Sequence, residues 1–258
     1  MAFPRRRRAV AGTVRVMDAA RYHQILLDAA ERTAVSADGA LDLPVPSCPD
    51  WTVADLVAHL AVVLSFWGAI AEGGEEPPTD WTPPVRPNDE ELIAWYRAGV
   101  ADGARAVGAV DPAAPRWSWS HQHDAAFIQR RLAHEFTVHA WDAEQAAGIA
   151  ASIDPAVAVD GIDEFLGIFL PAKEECLAGD PLTIHLHTTD ADGEWMLTIG
   201  NGQHHLERTH GKGEVAVRAT ASDLNLWVWG RREASDDGFT VFGEDAVLAD
   251  FVGRVRQW

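Results

Sequence analysis

The stretch Arg130-Arg131-Leu132-Ala133-His134-Glu135-Phe136-Thr137-Val138-His139-Ala140-Trp141-Asp142 decides how the rest of the chain is read. Around it Ile128, Leu132, Phe136, Ala140 and Ala143 recur at helical spacing, which predicts an amphipathic helix with one face in a core. Glu135 and His139 interrupt that face. Being four apart, they stand one turn apart on the same side, beside the Leu132 and Phe136 stripe. A carboxylate and an imidazole entering an apolar core need a partner, a proton or a cation, because an unpaired buried charge is too costly. Two readings are level at this point: a metal held by Glu135 and His139, or an internal ion pair. In the second, Arg131 at the preceding turn holds Glu135, and His139 is a satisfied core histidine. The zinc-protease signature does not fit, since it needs histidines four apart with glutamate directly after the first; His134 and His139 are five apart, and Val138 stands where the second should be. Five residues carry a helix about 140° past a full turn, so these two histidines cannot chelate one ion from a regular helix.

A chain of 258 residues buries roughly 70–75% of its unfolded surface, enough for one large domain or two modest ones. Apolar residues at 47% and charged residues at 23% describe an ordinary soluble globular protein. The 21 basic and 39 acidic residues leave a net charge of −18, which argues against nucleic acid or an anionic membrane as the main partner. Cys48 and Cys176 are the only cysteines and lie far apart, so neither a disulfide framework nor a cysteine-based zinc site is encoded, and a cytoplasmic location is expected. No run of eighteen apolar residues occurs, so no membrane span is expected. Four arginines at positions 5–8 precede an apolar run from Ala9 to Val14, too short for a signal peptide. Residues 1–16 are read as a disordered extension, or as an upstream start.

The chain then takes on helical periods. A first helix is expected over about 18–35, with Tyr22, Ile25, Leu26, Ala29 and Ala30 on one face. Thr52 and Asp55 form a capping box for a second helix carrying Val53, Leu56, Val57, Leu60, Val63, Leu64 and Trp67, with His59 on the same side. A long Gly/Pro-rich loop over 72–89 leads to a third helix at about 89–109. The loop Pro112–His123, with Trp117 and Trp119, either lines a pocket mouth or packs down on the fold. The fourth helix, about 124–148, holds Glu135 and His139; a fifth follows Pro155. From Asp180 the period becomes twofold. Leu182, Ile184 and Leu186 alternate with polar residues, Trp195, Leu197 and Ile199 do the same before the Gly200-Asn201-Gly202 turn, and Val215 and Val217 follow. Helices are expected over 221–230 and from Glu244. The expected architecture is therefore α+β with two domains, a helical bundle over 17–178 and a small α+β domain over 180–258, with the boundary near 178–180.

Bundle cores build metal sites from facing helices. Glu135 and His139 on the fourth helix and His59 on the second make two imidazoles and one carboxylate, which leave a coordination place open as in catalytic zinc sites. Histidines 185, 187, 204, 205 and 210 could in principle make another metal site, but at strand and turn positions they are expected to face solvent for the most part.

Three segments carry a resemblance. Cys48-Pro49-Asp50-Trp51-Thr52-Val53-Ala54-Asp55-Leu56-Val57-Ala58-His59-Leu60, then Arg131 to Glu144, then Ala221-Ser222-Asp223-Leu224-Asn225-Leu226-Trp227-Val228-Trp229-Gly230-Arg231 resemble, in order and spacing, the mycothiol-dependent maleylpyruvate isomerase family. The resemblance covers nearly everything after residue 17. It implies a DinB-like four-helix bundle with a divalent metal, usually zinc, followed by a sterol-carrier-like domain. It also places His59, Glu135 and His139 on the metal ligands, and Arg231, next to Arg232, on a residue implicated in the isomerase chemistry.

The mechanism so implied uses mycothiol as thiol cosubstrate. A thiol entering the open place of the metal is deprotonated near neutral pH and adds to an electrophilic small molecule, as isomerase or S-transferase. Arg231 would grip a substrate carboxylate; its bland reading is a surface arginine at a helix end. Only Lys173 and Lys212 are lysines, and that composition, rich in Ala and Arg, suits an actinobacterial source. The alternatives are a hydrolase using zinc-bound hydroxide and a non-catalytic small-ligand-binding protein with a structural metal.

Overall fold

The computed structural model describes residues 17–256, so the expected disordered extension over 1–16 lies outside the described residues. Four helices come first: α1 (Ala19–Ala37), α2 (Val53–Glu72), α3 (Asp89–Gly108) and α4 (Ala125–Ala146). Each starts where a short polar side chain meets the orphan amides of a first turn: Asp18, Thr52, Asn88 and Asp124 all accept from a backbone N–H three residues on. At α2 the capping box is complete, with the Asp55 carboxylate accepting from the Thr52 amide at 3.0 Å. Leu26, Leu56, Leu60, Leu64, Leu92, Tyr96, Phe127, Leu132 and Phe136 fill the first core between these helices. By length and composition α2 is apolar enough to cross a bilayer, yet here Leu56, Val57, Leu60 and Leu64 are fully buried against the other helices.

Glycine lets α2 and α3 approach closely. A Cβ on Gly103 would lie 2.6 Å from the Cγ of buried Leu64, whereas a Cβ on Gly99, one turn earlier, meets nothing within 4 Å. Gly99→Ala is therefore expected to gain about 1 kcal/mol of helix propensity. Gly103→Ala is expected to lose about 1–3 kcal/mol to overpacking against that same gain. The order of the two melting temperatures, Gly99→Ala above Gly103→Ala, checks the contact.

Asp154 caps α5 (Pro155–Glu164), which runs through a π turn at Phe165–Phe169 into α6 (Leu170–Ala172) and a 3-10 turn at Glu174–Leu177. The sheet follows: β1 (Leu182–Thr188), β2 (Glu194–Gly200), β3 (Gln203–Glu207), β4 (Val215–Ala219), then α7 (Ala221–Val228), β5 (Thr240–Gly243) and α8 (Asp245–Val255). Its order is β3-β2-β1-β4-β5, with β1 and β4 parallel and the other neighbours antiparallel. The β2–β3 hairpin turns at Asn201 with φ +52°, and Gly200 must be glycine because a Cβ there would lie 2.5 Å from the Asp180 carbonyl oxygen.

Ile184, Leu186, Trp195, Leu197, Val215 and Val217 form one face of the sheet and, with Leu224, Trp227 and Phe251, a second core. Ile162, Phe165, Leu166 and Leu170 join it from upstream of the change of period at 178–180, because the α5 segment packs across α7 and the sheet. A helical N-terminal region thus precedes a small mixed-sheet domain, as the alternation of apolar periods implied.

Candidate metal centre

The packing of α2 against α4 brings His59 to Glu135, 76 residues further along the chain, and to His139 one turn beyond. His59 Nε2 lies 3.2 Å from Glu135 Oε1, and His139 Nε2 lies 3.4 Å from the same oxygen. The three donor atoms fall within 4.8 Å of one another. The other Glu135 oxygen accepts from Arg131 Nη2 at 3.1 Å, so the carboxylate has one oxygen for the arginine and one for the imidazoles. The two readings of this helix are compatible, because a carboxylate can serve both. Trp51 closes one side, its ring 4.8 Å from that of His59 and 6.3 Å from that of His139.

Behind His139 stands Asp142, one turn along α4 and fully buried. Its Oδ2 meets His139 Nδ1 at 2.9 Å and accepts from Arg231 Nη2 at 2.9 Å; its Oδ1 accepts from Arg231 Nε at 3.2 Å and from Ser47 Oγ at 2.6 Å. This carboxylate orients the ring so that Nε2 points to Glu135, the outer-shell arrangement that fixes a metal-binding imidazole. Burial alone would push the Asp142 carboxyl up, but the His139 hydrogen bond and the Arg231 charge hold it at about 2. Burial likewise opposes ionisation of Glu135 and His139. Their mutual hydrogen bond, His59 on Glu135 and Asp142 on His139 outweigh it, leaving Glu135 well below the usual range and His139 at about 9. The site is thus an electrostatic well for positive charge.

A second donor group, Cys48 with His139 and Asp142, shares one histidine with the first. It is the weaker cation site, because Asp142 is already saturated and burial raises the Cys48 thiol, with the Asp142 charge adding to the rise. Cys176 is buried, donates to the Arg254 carbonyl at 3.2 Å, and is also raised by burial. Neither cysteine offers a ready thiolate.

The expected positions fall as follows. His59, Glu135 and His139 are brought together, and Arg231 comes to the same place from the second domain, half-buried rather than on the surface. His134 points elsewhere, to Asp160 at 2.7 Å, where Tyr22 and Arg130 also donate at 2.8 and 3.1 Å. Asp142 went unassigned although it closes the quoted stretch; its spacing of three from His139 was the available signal. Glu164 had none: its partner Arg131, 2.5 Å away, is 33 residues distant in sequence.

Asp160 gives a pH prediction. Burial pushes its carboxyl up, but the His134 hydrogen bond and charge and the Arg130 charge bring it down to about 2. An unfolded aspartate titrates near about 3.9, so its stabilisation is complete above that pH and is lost as pH falls towards about 2. Urea midpoints should therefore drop between about pH 4 and pH 2. Asp160→Asn should show a lower neutral plateau and a shallower acid limb; Asp142 and Glu135, likewise held low, contribute to what remains.

Beside Glu135 opens a cleft of about 430 Å³ lined by Val63, Trp67, Trp119, Arg131, Phe169 and Lys173. Its walls are mostly apolar, with Trp67, Trp119 and Phe169 the largest groups, and Arg131 and Lys173 stand beside the Glu135 carboxylate, a lining suited to a small, partly apolar anion. Trp119, from the loop before α4, thus lines the pocket and packs on Phe127 and Phe169 at once.

Two family models match in tandem, the mycothiol maleylpyruvate isomerase N-terminal domain over residues 22–144 and the MDMPI C-terminal domain over 156–250. The chain belongs to the mycothiol maleylpyruvate isomerase family. Among solved structures it is similar to the mycothiol-dependent maleylpyruvate isomerase, with a TM-score of 0.57 and 17% identity over 90% of this chain and 97% of that one. A histidine-to-alanine variant of that enzyme gives a TM-score of 0.58 and 18% identity over the same shares. At this identity the likeness concerns the fold. A comparison with curated proteins found no match. The family's two domains correspond to the helical bundle and the mixed sheet, and the donor group lies on the bundle side with Arg231 reaching in from the other.

The donor set also fits the divalent metal that the resemblance implied: two imidazoles and one carboxylate, a second-layer carboxylate on one imidazole, and an approach from the cleft.

Proposed function

We propose that this family member is a metal-dependent enzyme that uses a low-molecular-weight thiol, mycothiol, to isomerise a small electrophilic carboxylate, with His59, Glu135 and His139 holding the metal, zinc by donor type. The observation that carries the reading is the donor triangle, one corner of which, Glu135, lines a largely apolar, cation-bearing cleft, in a protein whose own thiols are pushed up by burial. A divalent cation in that triangle supplies Lewis acidity that favours the ionised form of an incoming thiol. Glu135 and the two histidines hold it, and Asp142 keeps His139 in the required tautomer.

The thiolate adds to one carbon of a cis double bond, the electron pair moving onto the conjugated carbonyl. Rotation about the resulting single bond and return of the pair expel the thiolate and leave the trans alkene, with no net change in atoms. Arg131 and Lys173 on the cleft wall place positive charge near a bound carboxylate. Arg231, expected to be catalytic, directs three of its five donors to Asp142 and the Trp229 carbonyl and a fourth to Cys48 Sγ, which leaves one Nη1 donor for a substrate carboxylate while it positions His139 through Asp142. A hydrolase reading is less well supported, since the cleft lining offers no carboxylate or imidazole base other than the ligand Glu135. The cytoplasmic, actinobacterial setting follows from the thiol.

An assay of cis-to-trans conversion of maleylpyruvate tests this. Turnover is expected only with both thiol and metal; conversion without thiol, or hydrolysis in its place, contradicts it. Asp142→Asn is expected to weaken metal binding by roughly 10–100-fold, read by competition with a chelating dye.

A further inference from the structure

On the face of the sheet opposite the second core, β1 places Thr183, His185 and His187. These histidines were expected to face solvent for the most part, and that is corrected for two of them: His185 is only 6% exposed, and His204 is half-buried, its Nε2 near the Leu166 carbonyl. His185 is covered because the loop after β3 folds back over this face, whereas His204, paired with Ile199 across the β2–β3 hairpin, lies on the core side beside Leu166. Gly211 lies so close to Met196, the cross-strand partner of His185, that a Cβ would sit 2.8 Å from its Cγ. Seated there, the loop carries His210 over His185, with ring centroids 5.1 Å apart at right angles.

All three rings converge on Glu194 of β2. Its Oε1 lies 2.6 Å from His210 Nδ1, 3.1 Å from His187 Nδ1 and 3.4 Å from His185 Nε2. The first two are hydrogen bonds. His185 Nε2, although buried, makes none. A buried polar atom left unsatisfied is unfavourable, and this one faces a carboxylate and a second imidazole. Donor atoms of His185, Glu194 and His210 lie within 4.8 Å of one another. Around a tetrahedral ion with bonds of about 2.0–2.1 Å, neighbouring donors stand about 3.3–3.4 Å apart, the spacing already present between His185 and Glu194. His210, on an exposed loop, has room to move outward by the remainder.

We propose that His185, Glu194 and His210 form a second divalent transition-metal site, separate from the centre in the bundle, which ties the loop after β3 to strands β1 and β2. Two imidazoles with one carboxylate select a borderline ion such as zinc over calcium or magnesium, which take oxygen donors. His187 holds Glu194 in place from outside the triangle. Burial pushes the His185 imidazole below its ordinary value, which favours the neutral form that coordinates.

The test uses the full-length chain. The Glu135→Ala background disables the bundle site; Glu135→Ala/His185→Ala and Glu135→Ala/His210→Ala then remove the second. Zinc binding is measured by competition with a fluorescent chelator, with circular dichroism as the fold control. His210 is exposed, so its removal leaves packing intact. The expected result is one zinc bound by Glu135→Ala and at least a ten-fold loss of affinity in both double variants, with thiol-dependent activity of His210→Ala unchanged. No zinc on Glu135→Ala, or equal binding in all three chains, overturns the proposal. If wild type holds a single zinc that His210→Ala removes and Glu135→Ala spares, the second site stands and the reading of the bundle site falls.

Discussion

Glu135→Ala is expected to lower thiol-dependent kcat/KM by at least about 10³-fold while leaving a folded protein. The loss follows from position: Glu135 is the one donor within 3.4 Å of both imidazoles, and without it two histidines remain for the cation. A bound cation contributes several kcal/mol of charge stabilisation, and about 4 kcal/mol corresponds to about three decades of rate. The fold survives because no buried charge loses its last partner. Arg131 keeps Glu164 at 2.5 Å, and His139 keeps Asp142 at 2.9 Å. Activity measured beside circular dichroism separates this from unfolding; retention of more than about a tenth of the wild-type rate would refute the role.

The largest stability effect belongs to Glu164→Ala. Glu164 has no exposed side-chain surface and Arg131 only 5%, and their 2.5 Å contact pairs α4 with α5 across the two domains. Arg131 also lies over the rings of Phe169 at 4.7 Å and Trp229 at 5.1 Å, so it cannot swing to solvent without unpacking them. Removing one partner of a buried pair typically costs about 3–5 kcal/mol, a large share of the about 5–15 kcal/mol that holds a protein folded. Urea unfolding at unchanged m-value should show a midpoint shift of that size, and Glu164→Gln a smaller one. A loss below about 1 kcal/mol would mean that Glu135 alone satisfies the arginine.

What the chain disclosed from its letters, and what it withheld, follows the range of the forces involved. Helix starts at Asp18, Thr52 and Asp124 are local events, set by a side chain and an amide three residues away, and they were readable. Glu135 and His139 stood out because polar residues broke an apolar stripe. His59 could be attached to them by donor chemistry and by the resemblance, but its approach to Glu135 depends on how two helices pack. Strands β3 and β5 escaped notice for a different reason: both are edge strands, with little buried surface and no apolar alternation to detect. The burial of His185 was hidden because it depends on a loop more than twenty residues further on, and Arg231 was placed beside Asp142 by tertiary contact across 89 residues.

The central claim is that His59, Glu135 and His139 hold a thiol-activating metal. The decisive measurement is elemental analysis of the purified His210→Ala parent beside His210→Ala/Glu135→Ala, a background in which only the bundle site is counted. Titration with a small thiol then follows, with proton release recorded. One equivalent of zinc is expected in the parent, its loss in the Glu135→Ala chain, and one proton released per thiol bound by the parent alone. A parent chain that takes up no metal after reconstitution would contradict it, reducing Glu135 and His139 to a buried ion pair.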